Sequence, residues 1–225
     1  MSAPFKILFE DNHLLIVDKP AMLPTMGVAE GKPSVLSQAK QFIKTRDKKP
    51  GNVYLGVVSR LDAPVTGAML IAKTSKAASR MSKQFRDRKV EKIYHAIVEG
   101  RPDPGEQSLQ HWLRKDERHR RVHVTQKDIE TAQEARLHFK VLKEFETKNV
   151  ALVEVQLDTG RKHQIRVQMS AIGHPIVGDR KYKSGMHYSS GILLHSRKLC
   201  FDHPVRDERI EIVCELPAKW HAWLN

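Results

Sequence analysis

Short apolar runs, each ended by proline, glycine or charged residues, are the main feature of this sequence. Runs with strand character cover residues 7–9, 14–18, 53–61, 67–73, 92–100, 137–142, 150–157, 192–195 and 210–214. Apolar residues recur at helical spacing over residues 34–43, 75–89 and 163–172. Strands predominate and helices do not alternate with them regularly. The pattern therefore predicts an α+β fold with mainly antiparallel strand pairing.

The chain length and its few cysteines restrict the class of protein. A chain of 225 residues suits one large domain, and we predict a single catalytic domain over 1–225. No apolar run approaches the roughly 18 residues of a membrane-spanning helix, and Glu10 and Asp11 interrupt any apolar stretch of a signal peptide. Cys200 and Cys214 are too few for a disulfide framework or a zinc site. We expect a soluble protein of a reducing compartment, the cytoplasm.

The charge balance points to a polyanionic partner. The chain has 39 Lys and Arg against 26 Asp and Glu, a net charge of +13. Such an excess favours nucleic acid as the usual neighbour, although a generally basic cytosolic protein is the alternative. One face of the helix predicted over 75–89 is basic, and so is the stretch 109–133, which we expect to form exposed hairpins. The basic residues of that helix face are Lys76, Arg80, Lys83 and Arg86.

Several common chemical motifs are missing from the sequence. His119 and His123 are four residues apart but have no third ligand at usable spacing, so we predict no metal site. The stretch 27–32 is one residue short of a phosphate-binding loop. The glycine patterns of dinucleotide-binding folds and of serine hydrolases are absent. We therefore expect no cofactor.

Asp62 is the first candidate catalytic residue. It follows the β-like run 57–61, which we interpret as a strand, and precedes a turn containing Pro64 and Gly67. A carboxylate at a strand end beside such a turn can point into a cleft from a rigid backbone. Arg60, two residues earlier, would then share its strand face. The alternative is an ordinary turn aspartate that caps local N–H groups.

The second candidate region is residues 157–166, where a buried-type strand ends and a helix begins with basic residues. The helix N-terminus and four neighbouring side chains would form an anion site. Those four residues are Arg161, Lys162, His163 and Gln164. Arg166 lies beside the apolar stripe of the helix, so we expect it to be partly buried with a carboxylate partner. Alternatively its charged end reaches solvent.

Three ordered motif blocks in this sequence resemble the RluA family of RNA pseudouridine synthases. The blocks are Arg60-Leu-Asp62 with Thr66-Gly67; Lys92-Ile-Tyr94 with Ala96 and Val98-Glu-Gly100; and Leu157-x-Thr-Gly-Arg-x-His-Gln-Ile-Arg166 followed by Gly173-His-Pro175 and Gly178-Asp179-x-x-Tyr182. The opening EDNHLLIVDKP and the late LHSRKLCFDHP are also similar to this family. The resemblance covers nearly the whole chain. It starts near residue 7, so we expect this chain to lack the S4-like domain that precedes some members.

The resemblance implies a mixed, largely antiparallel sheet with a central catalytic cleft flanked by helices and loops. It also implies isomerisation of uridine to pseudouridine in structured RNA, ribosomal or transfer, by a protein we expect to be monomeric. Asp62 would be the catalytic aspartate, Tyr94 the candidate general base, and Arg166 the partner that keeps Asp62 ionised. Arg60 would fill the stack vacated by the flipped nucleotide, while Arg161, His163 and Gln164 would contact the RNA.

This sequence departs from the family pattern at three positions. Ser59 stands where a histidine is frequent, Val65 replaces a common threonine, and Gln168 replaces a common histidine. These positions surround the predicted site, so they bear on substrate choice and rate more than on reaction type. Two other functions stay open from the residues alone. One is a catalytically silent RNA-binding protein on the same scaffold, and the other is a basic ribonuclease.

Overall fold

The computed structural model describes residues 3–224, which divide into two compact units. The first unit comprises residues 3–91 and 196–216, and the second comprises residues 92–195 and 217–224. The single domain expected from the sequence stays a prediction. Among residues 3–224, no helix combines the length and the apolar character needed to cross a membrane.

The secondary structure is dominated by strands, as the sequence predicts. In chain order the strands are β1 (Ile7–Glu10), β2 (Leu14–Lys19), β3 (Gly56–Val57), β4 (Thr66–Ala72), β5 (Glu91–Glu99), β6 (Glu106–Asp116), β7 (Arg121–Thr125), β8 (Gln133–Phe145), β9 (Val150–Leu157), β10 (Leu194–Asp202) and β11 (Arg209–Val213). The helices are α1 (Val35–Arg46), α2 (Ser75–Arg86), α3 (Gln164–Ala171) and α4 (His221–Leu224). Short 3₁₀ turns cover Glu146–Lys148, Arg180–Tyr182 and Ala218–Trp220. The α+β class is confirmed.

The first unit is a sheet covered by a helix on each face. Its strand order is β1-β2-β4-β10-β11, with the short β3 paired to β4. The pairs β1–β2, β2–β4, β3–β4 and β10–β11 are antiparallel. Alternate residues of β2 and β4 pack into two separate apolar clusters, one with α1 and the other with α2. Burial on both faces explains why β2 is a continuous apolar run and does not alternate with polar residues.

The second unit is an antiparallel meander. Its strand order is β5-β9-β8-β6-β7, and each pair in this series is antiparallel. The pair β6–β7 is one of the exposed hairpins predicted within 109–133. Helix α3 packs Val167 into a small core formed by Leu113 on β6, Val122 on β7 and Ala135 on β8, together with Tyr182. This core fixes the position of α3 relative to the hairpin.

Side chains cap the starts of both long helices in the first unit. The Thr74 side chain accepts a hydrogen bond from the Ala77 N–H at the start of α2. Ser34 and Ser37 form a reciprocal capping box at the start of α1. In the second unit, α3 begins one residue later than predicted. His163 precedes it in the left-handed region, at φ 55°, and its side chain makes no cap hydrogen bond.

Candidate active site

Asp62 lies in an irregular segment after β3, so the predicted strand end at this residue is wrong. Strand β3 stops at Val57, and residues 58–65 have no strand conformation. The premise that Arg60 and Asp62 share a strand face is wrong as well. Arg60 is exposed and Asp62 is half-buried. Pro64 has no N–H for a sheet ladder, and the Val65 N–H closes a local turn onto the Asp62 carbonyl at 3.1 Å.

Two buried side chains hold the backbone on either side of Asp62. The Thr25 hydroxyl donates to the Leu61 carbonyl at 2.8 Å and accepts from the Leu61 N–H at 3.3 Å. The Lys19 ammonium donates to the Ala63 carbonyl at 3.0 Å. These bonds take the place of strand pairing, which explains why the segment is ordered without being a strand. They give Asp62 a rigid backbone.

Lys19 is a buried ammonium group within the first unit. Its relative exposure is 0 %. Nζ also donates to the carbonyls of Pro20 at 2.7 Å and Leu23 at 2.8 Å, so three carbonyls use its three donors. Burial lowers the pKa of Lys19 to about 8, and the charges of Asp62 and Asp18 oppose that shift. At neutral pH the site therefore places a positive charge within electrostatic reach of Asp62.

Tyr94 lies on β5 in the second unit, directly opposite Val155 of β9. Its side chain is half-buried, while Ala96 and Val98, the next residues on the same strand face, are buried. The Tyr94 phenol therefore lies where this strand face changes from buried to partly exposed.

Gln164 organises the loop that precedes α3. Its Oε1 accepts from the Thr159 hydroxyl at 2.7 Å and from the Arg161 N–H at 3.0 Å. Its Nε2 donates to the Arg136 carbonyl at 2.9 Å. Gln164 is buried, so both ends of its amide serve the protein itself. The predicted contact of Gln164 with RNA stays a prediction.

The other members of the predicted anion site differ in exposure. Arg161 is exposed and its Nε donates to the Glu134 carbonyl at 3.0 Å. Lys162 is exposed. The Nδ1 atom of His163 lies 2.7 Å from the Tyr182 hydroxyl, and this contact accompanies the left-handed backbone at His163. Arg161 and Lys162 thus present their charges outward, whereas His163 is held against the protein.

Arg166 is buried with a carboxylate partner, which confirms the expectation drawn from its place on the helix. Nε donates to Asp179 Oδ2 at 2.6 Å and Nη2 donates to Oδ1 at 2.9 Å. The relative exposure is 5 % for Arg166 and 1 % for Asp179. The guanidinium carbon also lies 5.1 Å from the centre of the Tyr182 ring. This two-pronged pair with a stacked ring orients the guanidinium strongly.

Gln168, one of the departures from the family pattern, points into the second unit. It is fully buried, and its Nε2 lies 3.1 Å from His111 Nδ1 and 3.3 Å from the Ala135 carbonyl. Its amide therefore ties α3 to β6 and β8. Val65, a second departure, is buried in the first unit.

Lys19, Thr25 and Asp179 have no role in the sequence-based predictions. Lys19 carries a readable signal, since it is a cation two residues after the apolar run 14–17 and directly before Pro20. Such a residue is either exposed at a strand end or buried with partners. Thr25 carries no comparable local signal, and the motif Gly178-Asp179-x-x-Tyr182 marks Asp179 without indicating its partner. Their contacts reach 36 and 13 residues along the chain.

Comparison with known proteins finds RNA pseudouridine synthases by both family model and sequence similarity. The family model described as RNA pseudouridylate synthase matches residues 13–171. The dual-specificity RNA pseudouridine synthase RluA of Escherichia coli is 34% identical over 200 residues, covering 88% of this chain and 87% of the relative. The uncharacterized RNA pseudouridine synthase YhcT of Bacillus subtilis is 33% identical, covering 94% of this chain and 68% of the relative.

A solved structure agrees with these sequence matches. The structure titled Human RNA Pseudouridylate Synthase Domain Containing 4 superposes with a TM-score of 0.80 at 27% identity. The superposition covers 97% of this chain and 91% of the human chain. The motif blocks, the α+β fold and the matches together identify the reaction as isomerisation of uridine in RNA. This chain belongs to the RluA family of RNA pseudouridine synthases.

Proposed function

We propose that Asp62 is the catalytic carboxylate of this RNA pseudouridine synthase. The observation that carries the proposal is the pair of buried side chains, Thr25 and Lys19, that hold the backbone on both sides of Asp62. An ordinary turn aspartate on the surface needs no such support from a buried hydroxyl and a buried ammonium group. A catalytic group must keep its geometry through the reaction, and rigid support of this kind provides it.

The reaction needs an ionised acid and no external reactant. The bond between C1′ and N1 of uridine breaks, the base turns, and a bond forms between C1′ and C5. The proton on C5 leaves and N1 gains one, so the atoms balance. Asp62 either attacks C1′ or removes the 2′ proton. In both routes it must be charged when the target base enters, although burial under the base favours the neutral acid.

Two cations support the charged form of Asp62 in this proposal. The Lys19 ammonium interacts electrostatically with Asp62 inside the first unit. Arg166 is the second cation, as the family resemblance implies. Asp179 binds Nε and Nη2 of Arg166 and so fixes the orientation of the guanidinium group. Tyr94 then acts as the base that removes the C5 proton.

The substrate in this proposal is structured RNA, ribosomal or transfer. The relative from Zymomonas mobilis, 31% identical, is named a ribosomal large subunit pseudouridine synthase, which favours ribosomal RNA. Arg60 is exposed and occupies the space left when the target nucleotide leaves its stack. Arg161 and Lys162 contact phosphates, since both are exposed cations.

We further propose that the protein is a monomer that works in the cytoplasm. Cys200 and Cys214 are buried and form no disulfide, which suits a reducing compartment.

The test is Asp62→Asn, which keeps the side-chain shape and removes the charge. We expect pseudouridine formation in bulk ribosomal and transfer RNA to fall by at least about 10³-fold, with RNA affinity within about threefold. Mass spectrometry of digested RNA measures the product, and filter binding measures affinity. The matched control is Asp207→Asn, an exposed aspartate of the first unit, which should keep full activity. Activity of Asp62→Asn within tenfold of wild type would refute the assignment.

A further inference from the structure

The 3₁₀ turn Arg180–Tyr182, with Asp179 before it, contacts two different features of the second unit. On one side it holds Arg166, and on the other it holds the hairpin β6–β7. We call residues 179–182 the bridging turn. Its two sets of contacts belong to one rigid segment, because the Tyr182 N–H donates to the Asp179 carbonyl at 2.9 Å.

The contacts to Arg166 come from both ends of the bridging turn. Asp179 makes the bidentate pair with the guanidinium, and the Tyr182 ring lies 5.1 Å from its carbon. A carboxylate sets the position of the guanidinium fork, and an aromatic face sets its plane. A displacement of the bridging turn therefore has to move Arg166.

The contacts to the hairpin come from two adjacent residues of the bridging turn. The Tyr182 hydroxyl accepts from the Val122 N–H at 2.9 Å, and Lys181 Nζ donates to the Arg120 carbonyl at 3.1 Å. Both acceptor and donor are backbone groups of the hairpin at and after its turn. Burial and the charges of Arg166 and Arg121 lower the pKa of Lys181. The bridging turn is thus bonded to the backbone of the hairpin and not to its side chains.

The hairpin carries the charge and shape of an RNA-contacting arm. Its exposed cations are Arg114, Lys115, Arg118, Arg120 and Arg121. A cavity of about 480 Å³ is lined by hairpin residues, by residues 130–133 and by Arg161 and Lys162. That volume is sufficient for a nucleotide. Phosphates that bind these cations would shift or fix the hairpin backbone, to which Tyr182 and Lys181 are hydrogen-bonded.

We propose that Tyr182 is a positioning residue that couples RNA contact by the β6–β7 hairpin to the orientation of Arg166. The proposal rests on the proposed function of Arg166. The hydroxyl is the informative part of the side chain. A phenylalanine would fill the same core with Leu113 and Val122 and would still cover Arg166. Within this side chain only the hydroxyl binds the hairpin backbone, and the same hydroxyl lies 2.7 Å from His163 Nδ1. Packing alone would not require this polar group.

The first measurement compares Tyr182→Phe with wild type under single-turnover conditions on a structured RNA substrate. We expect the rate of pseudouridine formation to fall about tenfold, while the RNA dissociation constant stays within about twofold. The matched control is Tyr188→Phe, a half-buried tyrosine of the same unit, which should leave the rate unchanged. A rate for Tyr182→Phe equal to that of wild type overturns the proposal.

The second measurement is a double-mutant cycle with the hairpin variant Arg118→Ala, Arg121→Ala. If the hairpin acts through Tyr182, adding Tyr182→Phe to that variant should change the rate by less than twofold. Full additivity of the two rate losses overturns the proposal. Should Tyr182→Phe fail to fold in thermal unfolding, Lys181→Met takes its place. It removes the second bond to the hairpin, and we expect a rate loss of about threefold.

The outcomes separate this proposal from the proposed function. If Asp62→Asn keeps activity, the proposed function fails whatever Tyr182 does. If Asp62→Asn is inactive while Tyr182→Phe matches wild type in rate, only the coupling through Tyr182 fails.

Discussion

Lys19 is a charged group whose folded environment is less favourable than water. Its three carbonyl partners, on Pro20, Leu23 and Ala63, satisfy the ammonium, but burial still lowers its pKa from 10.5 to about 8. The folded protein therefore releases this proton at a lower pH than the unfolded chain. Between these two values the unfolded chain holds more protons, so stability rises with pH.

We predict a specific pH dependence for the variant Lys19→Met. The unfolding free energy of wild type, minus that of the variant, should increase as pH rises from about 8 to 10.5. The slope should reach at most about 1.4 kcal/mol per pH unit, the value for one proton. Urea unfolding at several pH values measures the difference, and other titrating groups cancel in it. The exposed Lys40→Met, also in the first unit, is the control. Parallel curves for wild type and Lys19→Met would show that Lys19 keeps an ordinary pKa.

Burial of individual residues was easier to predict than their partners. Arg166 was expected to be buried with a carboxylate because it adjoins an apolar helix stripe, and it is buried with Asp179. The identity of that partner depends on the turn 179–182. The motif Gly178-Asp179-x-x-Tyr182 marks this turn but does not indicate that it contacts Arg166. His163 shows the same limit. Its left-handed backbone accompanies a contact with Tyr182, 19 residues away. Histidine adopts that conformation more often than most residues with a side chain, but still at a small minority of positions, so the residue type does not specify it.

At the scale of elements, the position of Gly67 on β4 explains why the motif that follows Asp62 has a glycine there. It lies on β4 with φ +109°, a conformation that residues with a side chain rarely adopt. A Cβ atom at this position would lie 2.4 Å from the Ser196 carbonyl oxygen on the neighbouring β10. The glycine therefore permits two strands of the first unit to approach closely.

We predict that Gly67→Ala lowers the free energy of unfolding by about 1–3 kcal/mol or more. The strained φ alone accounts for that amount, and the contact with Ser196 adds to it. The urea midpoint of unfolding measures the loss. Gly51→Ala is the matched control, because nothing lies within 4 Å of its Cβ position, and it should change stability by less than about 0.5 kcal/mol. Equal stability of the two variants would contradict this explanation of the motif.

The elements that the sequence predicted best are those whose hydrogen bonds are local. Helix α2 begins at Ser75, as predicted, and its first turn is capped locally by Thr74. The run 53–61 was predicted as a strand, but only Gly56–Val57 pairs with β4. Val53 and Leu55 are buried against α1 and the sheet without forming a strand. Apolar periodicity reports burial, whereas strand pairing depends on where the backbone donors find partners.

At the scale of the whole molecule, both units carry exposed cations. In the first unit, Lys76 and Arg86 are exposed on α2, and in the second, Arg118 and Arg121 are exposed on the hairpin β6–β7. Lys83, on the same face of α2, differs from these because its ammonium pairs with Asp87 one helical turn later. A phosphate contact would compete with that ion pair, so Lys83 is a weaker candidate for phosphate contact than the sequence indicated.

We predict that RNA binding depends steeply on salt and that both units contribute. Five to seven neutralised phosphates give a slope of log K against log salt of about −3.5 to −6. Lys76→Gln and Arg118→Gln should each flatten that slope by about 0.7–0.9 and weaken binding to different RNAs alike, since phosphate contacts carry no sequence information. Lys44→Gln, an exposed lysine on α1, is the control and should leave the slope unchanged. Filter binding between 50 and 300 mM salt, roughly the range in which phosphate contacts dominate affinity, measures all four proteins. If Lys76→Gln leaves the slope unchanged while Arg118→Gln flattens it, the α2 face is merely solvated, and the RNA lies on the second unit alone.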